Sequence, residues 1–168
     1  MESTGAMSAF AFDPPIFGTV PVGIICRKRR AAYAVIAREY GRIAAVHGPG
    51  GYWLPGGGAC PGEAPEDAVV REVREELGRG VRLTGKVGEA VQYFHSSADE
   101  CWYEMTAVFF LAEFEGEPRG AGEHELCWLN PCRASELFFH ACHAWAVTQA
   151  CREHSRTIAP PDRGGRVL

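Results

Sequence analysis

The sequence predicts an α+β layered domain, with a mixed sheet and helices on its faces. Three observations predict it. Strand-like segments come first, one amphipathic helix at Pro65–Leu77 interrupts them, and further strands lead into a second helical stretch. The chain has 168 residues, enough for one domain with a hydrophobic core. Its apolar and charged fractions, 46% and 23%, are those of an ordinary soluble globular protein, and no apolar run nears the roughly 20 residues of a membrane span.

Taken in order, residues 1–15 are small, polar and Pro-interrupted, which predicts a loosely held segment. It lacks the basic-then-apolar pattern of a signal peptide. Residues 16–154 are expected to form the single domain. Phe17–Cys26 reads as a strand, ended by Arg27-Lys28-Arg29-Arg30, which reads as a solvated turn, with phosphate contact the lesser alternative. Ala31–Arg38 is β-leaning, and Arg42–Val46 reads as its hairpin partner across Glu39-Tyr40-Gly41. Gly48–Gly58 is glycine-rich and predicts a loop.

Pro65–Leu77 is the best-marked helix. Pro65 suits the first helical position, and Glu66 and Asp67 suit the first turn. The N-cap is Ala64, which has no capping oxygen, a loss of about 1 kcal/mol. Val81–Leu83, Ala90–Phe94, Tyr103–Phe114 and Leu126–Leu129 read as strands, and Glu115–Glu125 as an acidic loop. Asn130 offers an N-cap before Pro131, and a helical pattern continues to about Arg152. Residues 155–168, with Pro160-Pro161 and Gly164-Gly165, predict a frayed tail.

The net charge of −4 gives no electrostatic reason for duplex nucleic acid as a partner. The seven cysteines are odd in number and contain no CxxC pair. A disulfide framework or structural zinc is therefore not expected, and the reading is free thiols in a reducing cytoplasm.

The chemistry lies on the predicted helix. Glu72, Glu75 and Glu76 are spaced i, i+3, i+4, which stacks three carboxylates on one face. Such neighbours resist joint ionisation unless a cation is present, and a hard divalent ion takes oxygen ligands of this kind. The opposite side carries Val69, Val70, Val73 and Leu77, a stripe for docking on the sheet. A solvated acidic face supported by an Arg71–Glu75 pair is the alternative. The preceding Leu54-Pro55-Gly56-Gly57-Gly58-Ala59-Cys60-Pro61-Gly62-Glu63 favours the metal, because glycines bring backbone groups close to an ion or phosphate.

These residues resemble the Nudix box. Gly57 opens it, Glu63 follows after five residues, and Arg71-Glu72-Val73 after seven more. A variable residue, Glu75-Glu76, Leu77 and Gly78 complete it, and Arg79 departs from the final apolar position, whose packing Val81 is expected to take over. Gly51-Tyr52-Trp53-Leu54-Pro55 and Trp128-Leu129-Asn130-Pro131 are also similar to bacterial MutT-like Nudix proteins.

The resemblance implies an α/β/α sandwich with a loop–helix–loop motif that binds Mg²⁺ or Mn²⁺. It implies Glu75 and Glu76 as principal ligands, Glu72 as ligand or base, and the Gly57 carbonyl as a further ligand. Glu63, Arg71 and Gly78 would hold the box in shape, Arg71 by orienting a glutamate. An extra carboxylate from outside the box is either Glu123 or Glu125, with Glu123 favoured. The implied activity is hydrolysis of a nucleoside diphosphate derivative, foremost a nucleoside triphosphate cut to monophosphate and pyrophosphate. ADP-ribose, a nucleotide sugar, a dinucleoside polyphosphate, or a non-catalytic nucleotide-binding module are the alternatives, and a homodimer is compatible with the family. Tyr52, Trp53, Phe94, Trp102 and Trp128 read as packing or loop anchors before base-stacking groups, and His140 and His143 as structural.

Overall fold

Six consecutive buried residues, 31–36, organise the molecule. The computed structural model of the protein describes residues 13–158. Its strands are β1 (Ile16–Phe17), β2 (Arg27–Ile36), β3 (Ile43–Gly48), β4 (Gly51–Trp53), β5 (Gly56–Gly58), β6 (Gly80–Ser96), β7 (Cys101–Glu115) and β8 (Leu126–Leu129). Its helices are α1 (Pro65–Leu77), α2 (Ala134–Leu137) and α3 (Ala141–Ile158). A five-stranded mixed sheet runs in the order β1-β6-β7-β2-β5, and a three-stranded antiparallel sheet in the order β4-β3-β8.

The period of two along β2 builds both cores. Ala31, Tyr33 and Val35 face one side, in a cluster with Phe109, Met105 and the α3 residues Cys142, Ala146 and Val147. Ala32, Ala34 and Ile36 face the other, against Ala68, Val69, Val73 and Leu77 of α1. The alanines let α1 lie close on the sheet. This is the expected layered sandwich, with one helix on each face of a mixed sheet.

Several expected elements are corrected. Phe17–Cys26 is not a strand: only Ile16–Phe17 pairs, with β6, and Val22 and Ile25 are fully exposed, having no surface to pack on. Arg27–Arg30 is not a turn but the first four residues of β2, paired with Tyr103–Thr106 of β7. Ladder hydrogen bonds use the backbone alone, so the long β7 extends β2 through a basic run whose heads stand in solvent. The expected hairpin between Ala31–Arg38 and Arg42–Val46 reduces to one bridge, Ala37 to Ile43. Both edges of β2 are taken, by β7 and β5, so β3 pairs with β4 and β8 instead. Gly48–Gly58 holds two short strands, β4 and β5, inside the expected loop.

Val81–Leu83 and Ala90–Phe94 belong to one strand, β6, whose register shifts at Leu83/Gly85 and Lys86/Gly88 absorb the glycine-containing middle. The C-terminal helical stretch is broken. Asn130 Oδ1 accepts from the Cys132 N–H, as the cap pattern predicts, but Phe138 is extended and the Phe139 N–H donates to the Tyr52 carbonyl. Helix α3 runs to Ile158, past the expected start of the tail at residue 155. Residues 1–12 and 159–168, most of the two expected flexible ends, lie outside the described residues. Among the described residues, no helix is long and apolar enough to cross a membrane.

Candidate active site

Helix α1 begins and ends where its sequence signals stand. No side chain caps Ala64, Pro65 takes the first turn, and Gly78 closes the helix in the left-handed conformation, its N–H on the Arg74 carbonyl. Packing of Val69 and Val73 on β2 turns Glu72, Glu75 and Glu76 outward toward β5 and the turn after it.

Arg71 is the latch of this region. Its Nε and Nη2 donate to the two Glu63 oxygens at 2.8 and 2.9 Å. Nη1 reaches Glu72 Oε1 at 2.8 Å and Glu75 Oε2 at 3.1 Å, and Nη2 reaches the Gly58 carbonyl at 3.1 Å. One planar fork thus joins the turn, the helix and the sheet edge. Glu63 also accepts from the Cys60 N–H at 2.7 Å, which closes the turn. The Arg71 guanidinium, then the Cys60 amide, hold the Glu63 carboxyl down at about 2.

Glu76 behaves in the opposite way. Its Oε2 accepts from the Gly56 N–H at 2.9 Å. Burial nevertheless pushes the carboxyl up to about 7, the Gly56 amide opposes this, and the charges of Glu72, Glu123 and Glu75 add to it. Among the described residues, no three carboxylate, imidazole or thiol groups already enclose one point: Arg71 holds Glu72 and Glu75, and Gly56 holds Glu76. The donor set nonetheless fits a hard divalent cation. Glu76, half-hidden from water, feels the charges of Glu72, Glu123 and Glu75, and a Cβ on Gly57 would stand 2.6 Å from Glu72 Oε2.

Glu123 is placed here by a device that the sequence does not announce. The Glu123 and His124 N–H groups donate to the Glu75 and Glu76 carbonyls at 3.1 and 2.8 Å, and the Arg119 N–H to Gly78 at 2.9 Å. The loop after β7 therefore satisfies carbonyls that the end of α1 leaves open. Gly122 permits it, since a Cβ there would overlap the Glu76 carbonyl. Of the two candidates for the extra carboxylate, Glu123 acts on Glu76, whereas Glu125 acts on Cys127. Arg79, the departure in the box, lies with its guanidinium 4.2 Å from the Phe114 ring centre, while Val81 packs in the α1 core as expected.

His140 and His143 are buried. His143 Nδ1 accepts from the Leu54 N–H at 3.1 Å, tying α3 to the segment that enters β5. Trp53 packs edge-on against His140 and stacks on Phe139, and Tyr52, Phe94 and Trp128 also pack against the cores. Trp102 lies against His95. Burial, then Arg29, lowers His140 to about 4, and burial, then His140, holds His143 well below the usual imidazole range.

A stability test follows. Folded His140 stays neutral while the unfolded chain takes up a proton below about pH 6.5, so stability is lost as pH falls from there toward 4. At pH 5 this amounts to about 2 kcal/mol from His140. Glu76, raised to about 7, has the opposite sign: it gains stability as pH falls. The readout is therefore the difference between the wild type and His140→Phe in urea denaturation. The variant is expected to gain about 2 kcal/mol on the wild type between pH 8 and pH 5. Parallel pH curves would count against it.

The pattern of the NUDIX domain family matches residues 22–149. A segment of the chain is 53% identical over 36 residues to the nucleoside triphosphatase NudI of Enterobacter sp. (strain 638), covering 21% of this chain and 26% of that protein. The match thus spans about a quarter of that relative's length. The solution structure of the E. coli ORF135 protein is similar with a TM-score of 0.62 at 22% identity, covering 80% of this chain and 96% of that one. The crystal structure of the MutT protein from Methanosarcina mazei Go1 is similar with a TM-score of 0.59 at 20% identity, covering 77% and 96%. These structures share the fold, the family pattern covers most of the sequence, and the chain belongs to the NUDIX domain family.

Proposed function

We propose that the protein hydrolyses a phosphoanhydride bond of a nucleoside diphosphate derivative with Mg²⁺ or Mn²⁺, and that its substrate is a nucleoside triphosphate cut to monophosphate and pyrophosphate. The observation that carries this reading is the position of Glu76 and Glu72 against the glycine strand β5, with Glu75 beside them on Arg71 and the Glu123 backbone bonded to the same end of α1. Similarity to a nucleoside triphosphatase across part of the chain supports the choice of substrate.

In this reading Glu75, Glu76 and Glu72 hold the cation together with the Gly57 carbonyl, and Glu123 contributes the fourth carboxylate. Bound metal supplies charge neutralisation of the diphosphate and a lowered pKa for water. Glu72, which lies beside Gly57 and accepts from Arg71, would act as a ligand or take a proton from water. Arg71 orients Glu72 and Glu75 and does not meet the reacting bond itself. Glu63 fixes the turn, and Gly78 ends the helix.

The test is Glu75→Gln, with product analysis over a panel of nucleoside triphosphates, ADP-ribose and nucleotide sugars in Mg²⁺. The wild type is expected to release nucleoside monophosphate and pyrophosphate, and the variant to lose at least about 100-fold in kcat. Equal turnover by the variant removes Glu75 from the cation site. Nucleotide binding by the wild type without any product makes the protein a binding module.

A further inference from the structure

The basic run at the start of β2 remains outside the acidic site and the Arg71 latch. Lys28, Arg29 and Arg30 line a cleft of about 420 Å³ together with Gly58, Tyr103 and the turn at 59–62. The Lys28 ammonium is 3.9 Å from Glu104, so it is partly engaged. Arg29 lies with its guanidinium carbon 5.8 Å from the centre of the Tyr103 ring, and neither Arg29 nor Arg30 has a hydrogen bond or ion pair from its side chain among the described residues. An exposed arginine held beside an aromatic ring, with its donor fork open, suits a phosphoryl group.

The edge strand β5 relates this cleft to the carboxylates. A Cβ on Gly57 would meet Glu72 Oε2 at 2.6 Å, and a Cβ on Gly58 would meet Arg29 Nη2 at 3.1 Å. Successive strand residues face opposite sides and advance only about 3.3 Å. The sheet edge therefore carries carboxylate on one flank and guanidinium on the other, with no side chain on Gly57 or Gly58 to separate them. A chain of phosphates crossing that edge meets the cation-binding flank first and a fixed positive charge next.

We propose that Arg29 is a substrate-binding residue that grips the terminal phosphoryl group of a nucleoside polyphosphate lying across Gly57 and Gly58. This favours triphosphates over substrates whose distal phosphoryl group is capped by a sugar. The inference rests on the hydrolase reading for the identity of the substrate. The anion grip itself depends only on Arg29, Tyr103 and the glycine edge.

The experiment is calorimetric binding of inorganic pyrophosphate and of ADP-ribose, with Mg²⁺, to the wild type, Arg29→Gln, Arg29→Lys and Lys86→Gln. Steady-state kinetics with the preferred triphosphate accompany it. Arg29→Gln is expected to weaken pyrophosphate about 10- to 100-fold and to raise KM for the triphosphate alike, with kcat held within about threefold. Arg29→Lys recovers part of the loss, as a point charge without the fork. Lys86→Gln, which removes an exposed charge paired with Glu89, binds as the wild type does. ADP-ribose affinity changes less than about threefold in every variant, because both of its phosphoryl groups are esterified and it has no terminal phosphoryl group for the fork.

Pyrophosphate affinity unchanged in Arg29→Gln overturns the proposal. So does an equal loss in Lys86→Gln, which reports only the overall field, an equal loss for ADP-ribose, or a wild type that does not bind pyrophosphate. If the wild type cleaves no nucleotide yet pyrophosphate binding still needs Arg29, the anion grip stands and the hydrolase reading falls.

Discussion

Glu76→Gln is expected to abolish most turnover and, without metal, to melt at a higher temperature than the wild type. The amide keeps the acceptor that Gly56 N–H uses, so the loop remains anchored. It removes a carboxylate that burial and three like neighbours disfavour in its charged form. Relief of that strain is of order 1 kcal/mol, or about 3 °C for a domain of this size. The same substitution takes away a proposed cation ligand. Changes one layer outside a metal commonly cost 10- to 100-fold, so a direct ligand is expected to cost at least about 100-fold in kcat. Adding Mg²⁺ should then raise the melting temperature of the wild type more than that of the variant. Scanning calorimetry with and without metal, beside the kinetic assay, checks both arms. A variant that melts lower without metal and keeps its kcat sinks the assignment.

Arg71→Lys is the second large effect. Charge is conserved, so any loss reports geometry. An ammonium cannot reach both Glu63 oxygens, Glu72, Glu75 and the Gly58 carbonyl at once. Arg71 is about one-third exposed, and solvent screening limits what its ion pairs contribute, so the stability loss is about 1–2 kcal/mol. The activity loss is expected to be larger in proportion, at about 10- to 100-fold in kcat, because Glu72 and Glu75 lose the group that fixes their rotamers. Denaturant midpoints and kcat measured on the same preparation test this. A lysine variant with wild-type kcat would make Arg71 a surface ion pair only.

The contrast between what the sequence discloses and what it hides follows the range of the interactions. Helix α1 is legible to the residue, because Pro65, the apolar period and Gly78 are local signals. Strand β8 is equally legible as a short apolar run between an acidic loop and an N-cap. The start of β2 is not, because four basic residues become a strand only when β7 lies beside them. The partner of β3 is hidden for the same reason: nothing near Ile43 tells that β5 occupies the edge it would use.

The site divides in a similar way. Spacing within one helix exposes Glu72, Glu75 and Glu76, and the resemblance to the Nudix box adds Glu63 and Gly57. The choice between Glu123 and Glu125 depends on backbone hydrogen bonds between a loop and a helix some fifty residues apart in sequence. The Gly56 amide on Glu76 and the stance of Arg29 against Tyr103 are likewise products of tertiary packing.

The backbone bonds from Glu123 and His124 to the last turn of α1 also set a reading frame for the loop. Exposed residues 116–118 lie between β7 and that clamp, so added length there has room to bulge into solvent. A one-residue insertion between Gly122 and Glu123 is different. It either puts a new side chain where Gly122 lies on the helix end, or slides Glu123 off Glu75 and brings another residue to Glu76. The protein can therefore tolerate drift in the length of this loop before Arg119 and not between Gly122 and Glu123.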